Sequence, residues 1–197
     1  MENTANNLAQ AIEVLKNGGV VAFPTETSYG LGCDATNEEA VARVAAMKSR
    51  PKKFKMALVV KDLEMARWCG ELNDMILPFA KKHWPGPLTI LLPNANKELT
   101  DWSVLNGTVG VRISSHPIAM ELAEALGKPL IATSANKHGE PSCYSVEAIK
   151  EQLEGQSDQP DIYVDGGVLP EVPPSMIIEL VDGEVVVHRP GSFKLRA

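Results

Sequence analysis

Aromatic residues are scarce. Four Phe, three Tyr and three Trp make up 5% of the 197 residues, so any core has to be built mostly from Val, Ile, Leu, Ala and Met. Cysteine is rarer still. Cys33, Cys69 and Cys143 are odd in number and widely spaced, which fits reduced thiols and excludes a disulfide framework. No apolar run approaches the roughly 18 residues that a membrane helix needs. The start, Met1-Glu2-Asn3-Thr4, lacks the basic and apolar regions of a secretion signal. A net charge of −6 argues against an opportunistic nucleic-acid binder. The usual catalytic signatures are missing too: there is no Walker loop, G-x-S-x-G, C-x-x-C or H-E-x-x-H. The four histidines (83, 116, 138, 188) are scattered, and Gly30-Leu31-Gly32 lacks the third glycine of a dinucleotide fingerprint. The expectation is a soluble, cytoplasmic protein without a bound metal.

The chain has 44% hydrophobic residues and a length that suits one domain spanning 1–197. Helical and strand-like segments alternate along it. Leu8, Ala11, Ile12 and Leu15 recur at helical spacing before Gly18-Gly19, and Gly19 to Phe23 reads as a buried strand. Asn37 opens a second helix through Val41, Val44 and Met47. Ala57–Val60 is a strand, Asp62 caps a helix, and another runs through Ile76, Leu77 and Ala80. Strands follow at Leu88–Leu92 and Val109–Ile113. Pro117 to Gly127 is a helix with proline first and glycine last. Leu130–Ala132 is a strand and Ser145 caps the next helix. Ile162–Val164, Met176–Leu180 and Val185–His188 close the chain as strands. This alternation predicts an α/β fold. The last strands are too close in sequence for helical crossovers, so some pair antiparallel and the sheet is mixed.

Charge is uneven. From Glu147 to Glu184 there are ten acidic residues and one base, Lys150, whereas Lys48, Arg50, Lys52, Lys53 and Lys55 crowd eight positions without an acid. Cations after a helix relieve its dipole, but five exceed that need and repel one another unless an anion visits. Short polar segments stand at strand ends: Pro24 to Gly32, Thr133-Ser134-Ala135-Asn136 and Gly139 to Ser142. Each is by itself either a hydrophilic turn or a ligand loop of the kind α/β proteins place there. Trp84 to Thr89 reads as a rigid, mainly structural turn. Thr108, Gly110 and Arg112 share one strand face, so Arg112 is either an anion ligand or an exposed surface arginine.

In their order, these segments resemble the YrdC-like family of threonylcarbamoyl-AMP synthases. The matching pieces are PTETSYGLG from Pro24, KSRP from Lys48, WPGPLT from Trp84, VRISSHP from Val111, TSAN from Thr133, DGG from Asp165 and HRPG from His188. Seven ordered matches across nearly the whole chain are far more specific than any one. The resemblance implies a twisted mixed parallel and antiparallel sheet flanked by helices, with a deep cationic cavity. It implies that Lys48, Arg50, Thr108, Ser134, Ser142 and Arg189 serve ATP. Thr27, Arg112, the backbone at Ala132, and Ser175 would hold threonine. Lys48, Arg50 and Arg112 would supply the catalytic charge. The chain departs from the family pattern between Lys52 and Met56. Phe54 and Val59 cannot make polar contacts that some relatives make, and a usual Ser-Thr pair is Ser175-Met176. The extra C-terminal domain of longer relatives is not expected.

The implied activity joins L-threonine, bicarbonate and ATP, with Mg²⁺ carried on the phosphates. Downstream tRNA-modifying transferases, and tRNA itself, are the candidate further partners. Chemistry of this kind needs alignment and charge neutralisation and no protein nucleophile. The absent triads are therefore no objection. A non-catalytic nucleotide- or RNA-binding module is the main alternative. A carbamoyl-transfer domain of a larger maturation enzyme would be accompanied by zinc motifs, which are missing. With no metal-ligand spacing in the sequence, elemental analysis of the purified protein should find no stoichiometric zinc. One zinc per chain would contradict that.

Overall fold

The computed structural model describes residues 2–49, 55–193 and 195, with side chains from Asn7 onward. The helices are α1 (Glu2–Lys16), α2 (Glu38–Met47), α3 (Leu63–Cys69), α4 (Leu77–His83), α5 (Pro117–Leu126) and α6 (Val146–Leu153). The strands are β1 (Val21–Pro24), β2 (Tyr29–Gly32), β3 (Leu58–Val59), β4 (Leu88–Leu92), β5 (Val104–Leu105), β6 (Thr108–Arg112), β7 (Leu130–Ile131), β8 (Thr133–Ser134), β9 (Ile162–Tyr163), β10 (Met176–Val181) and β11 (Glu184–Arg189). The α/β class and the mixed pairing are as expected from the sequence. Among the described residues, no helix is long and apolar enough to cross a membrane.

The expected caps do their work. The Asn37, Asp62 and Ser145 side chains accept from the Ala40, Met65 and Ala148 amides, each satisfying a donor that the first helical turn leaves open. Gly127 ends α5 in the left-handed conformation, where a side chain would be strained.

The strands form two sheets. One has the order β8-β2-β1-β9, the other β11-β10-β4-β6-β3-β7, with β5 added to β6. The pairs β1/β9, β4/β10 and β3/β6 are parallel and the rest antiparallel. Three strands escape sequence reading. Tyr29–Gly32 reads as a polar loop but is β2, and Thr133-Ser134 reads as a loop but pairs with β2 as β8. Pairing and burial override local polarity in both. Val104–Leu105 is joined to β6 by Asn106-Gly107, both at positive φ, a two-residue turn that matches the strand twist.

Apolar packing follows the period of two. Val21 and Phe23 of β1 face α1 and α5, meeting Leu8, Ala11, Leu15, Leu122 and Ala123. Ala22 faces the other way, into a larger core with Leu31, Leu58, Ile90, Leu92 and Val111. At Gly32 of β2, the Phe23 ring of β1 and the backbone of β7 both approach closely. A Cβ built there would lie 2.6 Å from both the Ile131 carbonyl oxygen and the Phe23 ring. Gly32→Ala should therefore lower the unfolding free energy by about 1–3 kcal/mol, measured by urea denaturation. Unchanged stability would show that the sheet edge can relax.

Candidate active site

A cavity of about 280 Å³ opens where strand ends of the two sheets meet. The β1–β2 turn contributes Thr25, Thr27 and Ser28, and β4 contributes Thr89. Arg112 comes from the end of β6, Ala132, Thr133 and Ser134 from the β7–β8 region, and Ser175 and Arg189 from the β10–β11 hairpin. Ser142 and Lys55 complete the polar lining. Among the described lining residues there are three cations, Lys55, Arg112 and Arg189, and no carboxylate.

Arg112 is buried, with its side chain 8% exposed, so the surface-arginine alternative is excluded. Burial alone pulls its pKa below the ordinary arginine range, and the Glu26 carboxylate opposes that shift. Glu26 Oε1 stands 3.0 Å from Arg112 Nη1. The contact lacks hydrogen-bond alignment, so Oε1 keeps an unused lone pair. The other carboxylate oxygen accepts from the Ser114 hydroxyl, which fixes the acid from behind. Thr27 Oγ1 lies 3.5 Å from Arg112 Nη1 and 3.1 Å from Thr25 Oγ1, at the edge of hydrogen-bond range for the first and within it for the second.

The β10–β11 hairpin supplies the opposite wall. Arg189 donates through Nε to the Ser175 carbonyl and through Nη2 to its hydroxyl, both at 2.9 Å. Ser175 Oγ is 3.0 Å from Thr89 Oγ1. The chain beyond β11 can turn back here because position 191 is glycine. A Cβ there would sit 2.7 Å from the Met176 amide nitrogen. Met176 itself is buried in the core, since successive strand residues point to opposite faces. The departure from a Ser-Thr pair therefore leaves the cavity intact, with the second hydroxyl beside Ser175 coming from Thr89.

Tyr29 locks the β1–β2 turn to the segment after β9. Its hydroxyl donates to the Gly167 carbonyl and accepts from the Gly166 amide, both at 2.8 Å, and burial pushes its pKa up to about 12. The DGG piece is thereby a clamp. Gly166 is needed because a Cβ would come within 2.7 Å of the Pro24 ring.

Seven expected residues converge on the cavity: Thr27, Arg112, Ala132, Ser134, Ser142, Ser175 and Arg189. The Ala132 amide is occupied by the Ala57 carbonyl, so its own carbonyl is what the backbone offers there. Lys48 is drawn behind the wall and is 1% exposed. It donates to the backbone carbonyls of Ser134 and Asn136 and, at 3.1 Å, to Asn136 Oδ1, holding the 133–136 loop. Thr108 is not brought to the cavity. It begins the strand that Arg112 ends, roughly 13 Å away at the rise of a β-strand, and its hydroxyl donates to the Leu105 carbonyl in the hairpin turn. Arg50 and Phe54 lie outside the described residues. Val59 is buried against α1 and α5, as its inability to make a polar contact requires.

Thr89 and Lys55 are the lining residues that sequence reading passes over. Thr89 closes a segment read as structural, and that reading holds for its start: Trp84 Nε1 donates to the Leu88 carbonyl at 2.7 Å. The available signal was alternation, because Leu88, Ile90 and Leu92 are core while Thr89 shares the other face. Lys55 was visible only as one of five crowded cations. Its Nζ reaches the Asp101 carbonyl at 2.6 Å, beside the cavity. The three cysteines are buried, and burial pushes each thiol up, so none is a nucleophile at neutral pH.

A polar cavity at converging strand ends, with a buried arginine in its wall, is where an α/β scaffold places a small-molecule site. The family model Sua5_yciO_yrdC, described as "Telomere recombination", matches residues 13–191, and the chain belongs to that family. A threonylcarbamoyl-AMP synthase of Marinobacter nauticus is 36% identical over 179 residues, covering 90% of this chain and 93% of that protein. One from Pseudomonas fluorescens is 37% identical, covering 90% and 94%. Among solved structures, P. abyssi Sua5 complexed with L-threonine superposes with a TM-score of 0.86 at 34% identity. That match covers 93% of this chain and 54% of Sua5, so the chain spans about half of that longer protein. E. coli YciO gives 0.80 at 33% identity, covering 93% and 88%.

The Glu26–Arg112 contact yields a stability prediction. Removing the acid strands a buried guanidinium, so Glu26→Ala should cost about 3 kcal/mol in denaturant unfolding. A loss near zero would show that Arg112 escapes to water.

Proposed function

We propose that this chain forms threonylcarbamoyl-AMP and pyrophosphate from L-threonine, bicarbonate and ATP, supplying the activated group for threonylcarbamoyladenosine in tRNA. The observation that carries the reading is the buried Arg112 at a strand end, facing the same cavity as Thr27, Ser175 and the Ala132 backbone. The curated relatives bear this activity as their name, and P. abyssi Sua5 was solved with L-threonine.

The threonine amine first adds to the bicarbonate carbon. Water leaves and a carbamate remains. A carbamate oxygen then attacks the α-phosphorus of ATP, its P–O bond forms, and the bond to pyrophosphate breaks. The reaction is a nucleotidyl transfer, and this chain's part in it is to bind, align and neutralise. Arg112 presents a planar fork suited to the threonine carboxylate. Thr27 and Ser175 take its polar side chain. Arg189, Ser134 and Ser142 serve the nucleotide, Lys48 supports them by holding the 133–136 loop that carries Ser134, and Arg50 is assigned to the nucleotide by the family resemblance. Magnesium would accompany ATP as part of the substrate and offset charge on its phosphates. That fits a lining without a carboxylate and, among the described residues, no group of three His, Cys, Asp or Glu able to hold a metal. Tight metal retention is not part of the reading. The product passes to a tRNA-modifying transferase in the cytoplasm.

The test is pyrophosphate release, measured with and without threonine and bicarbonate. Dependence on both is expected, whereas a non-catalytic module would bind ATP without it. Arg112→Lys keeps a charge but loses the two parallel donors. It should lower kcat/KM for threonine about tenfold or more while the KM for ATP changes little. Equal losses for both substrates would show that Arg112 does not read the threonine carboxylate.

A further inference from the structure

Strand β11 is the outermost strand of the larger sheet, and among the described residues no strand pairs with its outer edge. All of Glu184–Arg189 is exposed. Val185, Val186 and Val187 stand at its centre, 37%, 40% and 49% exposed. Proteins ordinarily blunt such an edge with lysine or proline, because its open N–H and C=O groups invite another strand. Here adjacent β-formers occupy it instead.

The register shows what that edge offers. Asp182 and Gly183, both at positive φ, make a two-residue turn, so Val181 and Glu184 exchange backbone hydrogen bonds across it. Bonded and unbonded pairs alternate from there. Glu179 with Val186 is bonded, whereas Leu180 with Val185 and Ile178 with Val187 are not. The N–H and C=O groups of Val185 and Val187 therefore point away from β10, to the open edge. Their side chains share the face that carries Ile178 and Leu180 to the core. Glu184 and Val186 lie on the other face, as does His188, whose Nε2 is 2.7 Å from Glu179 Oε2. The register shifts between Ile177 and Ile178, so a bulge at His188 ends the regular stretch.

A second copy of the same strand fits this edge. With a two-fold axis at Val186, Val185 of each copy faces Val187 of the other, and each such pair exchanges both its backbone hydrogen bonds. The same register sets Glu184 opposite His188 at both ends, a carboxylate against an imidazole, and Val186 against Val186. On the other face the valine pairs extend the apolar surface beside Ile178 and Leu180. The neighbouring symmetric registers match charge poorly. An axis at Val187 sets Val185 against Arg189, and one at Val185 sets Val186 against Glu184. We propose that two copies of this chain associate through β11, antiparallel about Val186, joining their larger sheets into one. The pairing uses up the open edge of each copy, so it closes at two. Arg189, which lines the cavity, lies past the paired stretch.

The experiment is sedimentation velocity of the full chain as a function of concentration, which should show a monomer–dimer equilibrium and no larger species. Val186→Lys sets two ammonium groups opposite each other on the axis and should weaken the dimer about fivefold or more, with thermal unfolding checking that the variant is folded. Val186→Cys reads the register. An unbonded pair on the axis has its Cα atoms about 4.5 Å apart, within disulfide range, so mild oxidation should link the two copies. Val185→Cys stands two residues out of register with its own copy and should not link. The native cysteines are buried and do not compete. Should Val186→Lys not fold, the two cysteine variants still decide. A monomer at every concentration, open-ended aggregation, an undiminished dimer in folded Val186→Lys, or equal linking at 185 and 186 would each overturn the proposal. None of these outcomes bears on pyrophosphate release, which tests the proposed function separately.

Discussion

The contact between Glu26 and Arg112 is the constraint around which the site is arranged. An arginine buried where two sheets meet costs several kcal/mol unless an opposite charge accompanies it. Glu26 supplies that charge from the β1–β2 turn, in the smaller sheet, to the end of β6 in the larger one. Because Ser114 holds the other carboxylate oxygen, the acid stays behind the guanidinium. The cation is thus kept charged and aimed without a lining carboxylate to repel anionic substrates.

The other walls are held by contacts that are not themselves available to a ligand. Lys48 spends its ammonium on the carbonyls of the 133–136 loop, and Tyr29 spends its hydroxyl on the segment after β9. Both are polar groups made rigid by burial with partners, as buried polar groups must be. They explain how short loops, ordinarily mobile, can present Ser134, Thr27 and Ser28 in fixed positions. Glycines do the complementary work at Gly166 and Gly191, where chain segments pass too closely for a Cβ.

A donor-rich lining with hydroxyls and cations suits a reaction in which bonds form between substrates and the protein stores no covalent intermediate. Preorganised dipoles and charges cost nothing to reorganise when charge shifts toward pyrophosphate. The buried, raised cysteines and the scattered histidines agree with that division of labour.

The helices were legible in the sequence because their signals are local: apolar spacing in α1 and α2, side-chain caps at Asn37, Asp62 and Ser145, and the proline and glycine that bound α5. The strands with apolar alternation, such as β4 and β6, were legible for the same reason. The family resemblance carried by the seven ordered motifs implied the site residues, and seven of the ten converge on the cavity. Tertiary structure alone decided that Thr133-Ser134 is a strand laid on Tyr29–Gly32, since the two segments lie about a hundred residues apart in the chain. It decided that Lys48 faces a loop carbonyl where an anion was expected, that the Thr108 hydroxyl is taken by the Leu105 carbonyl, and that Thr89 completes the wall beside Ser175. Composition and spacing fix which face a residue can occupy. Which other face it meets depends on sheet order and register, and these are settled by packing between segments distant in sequence.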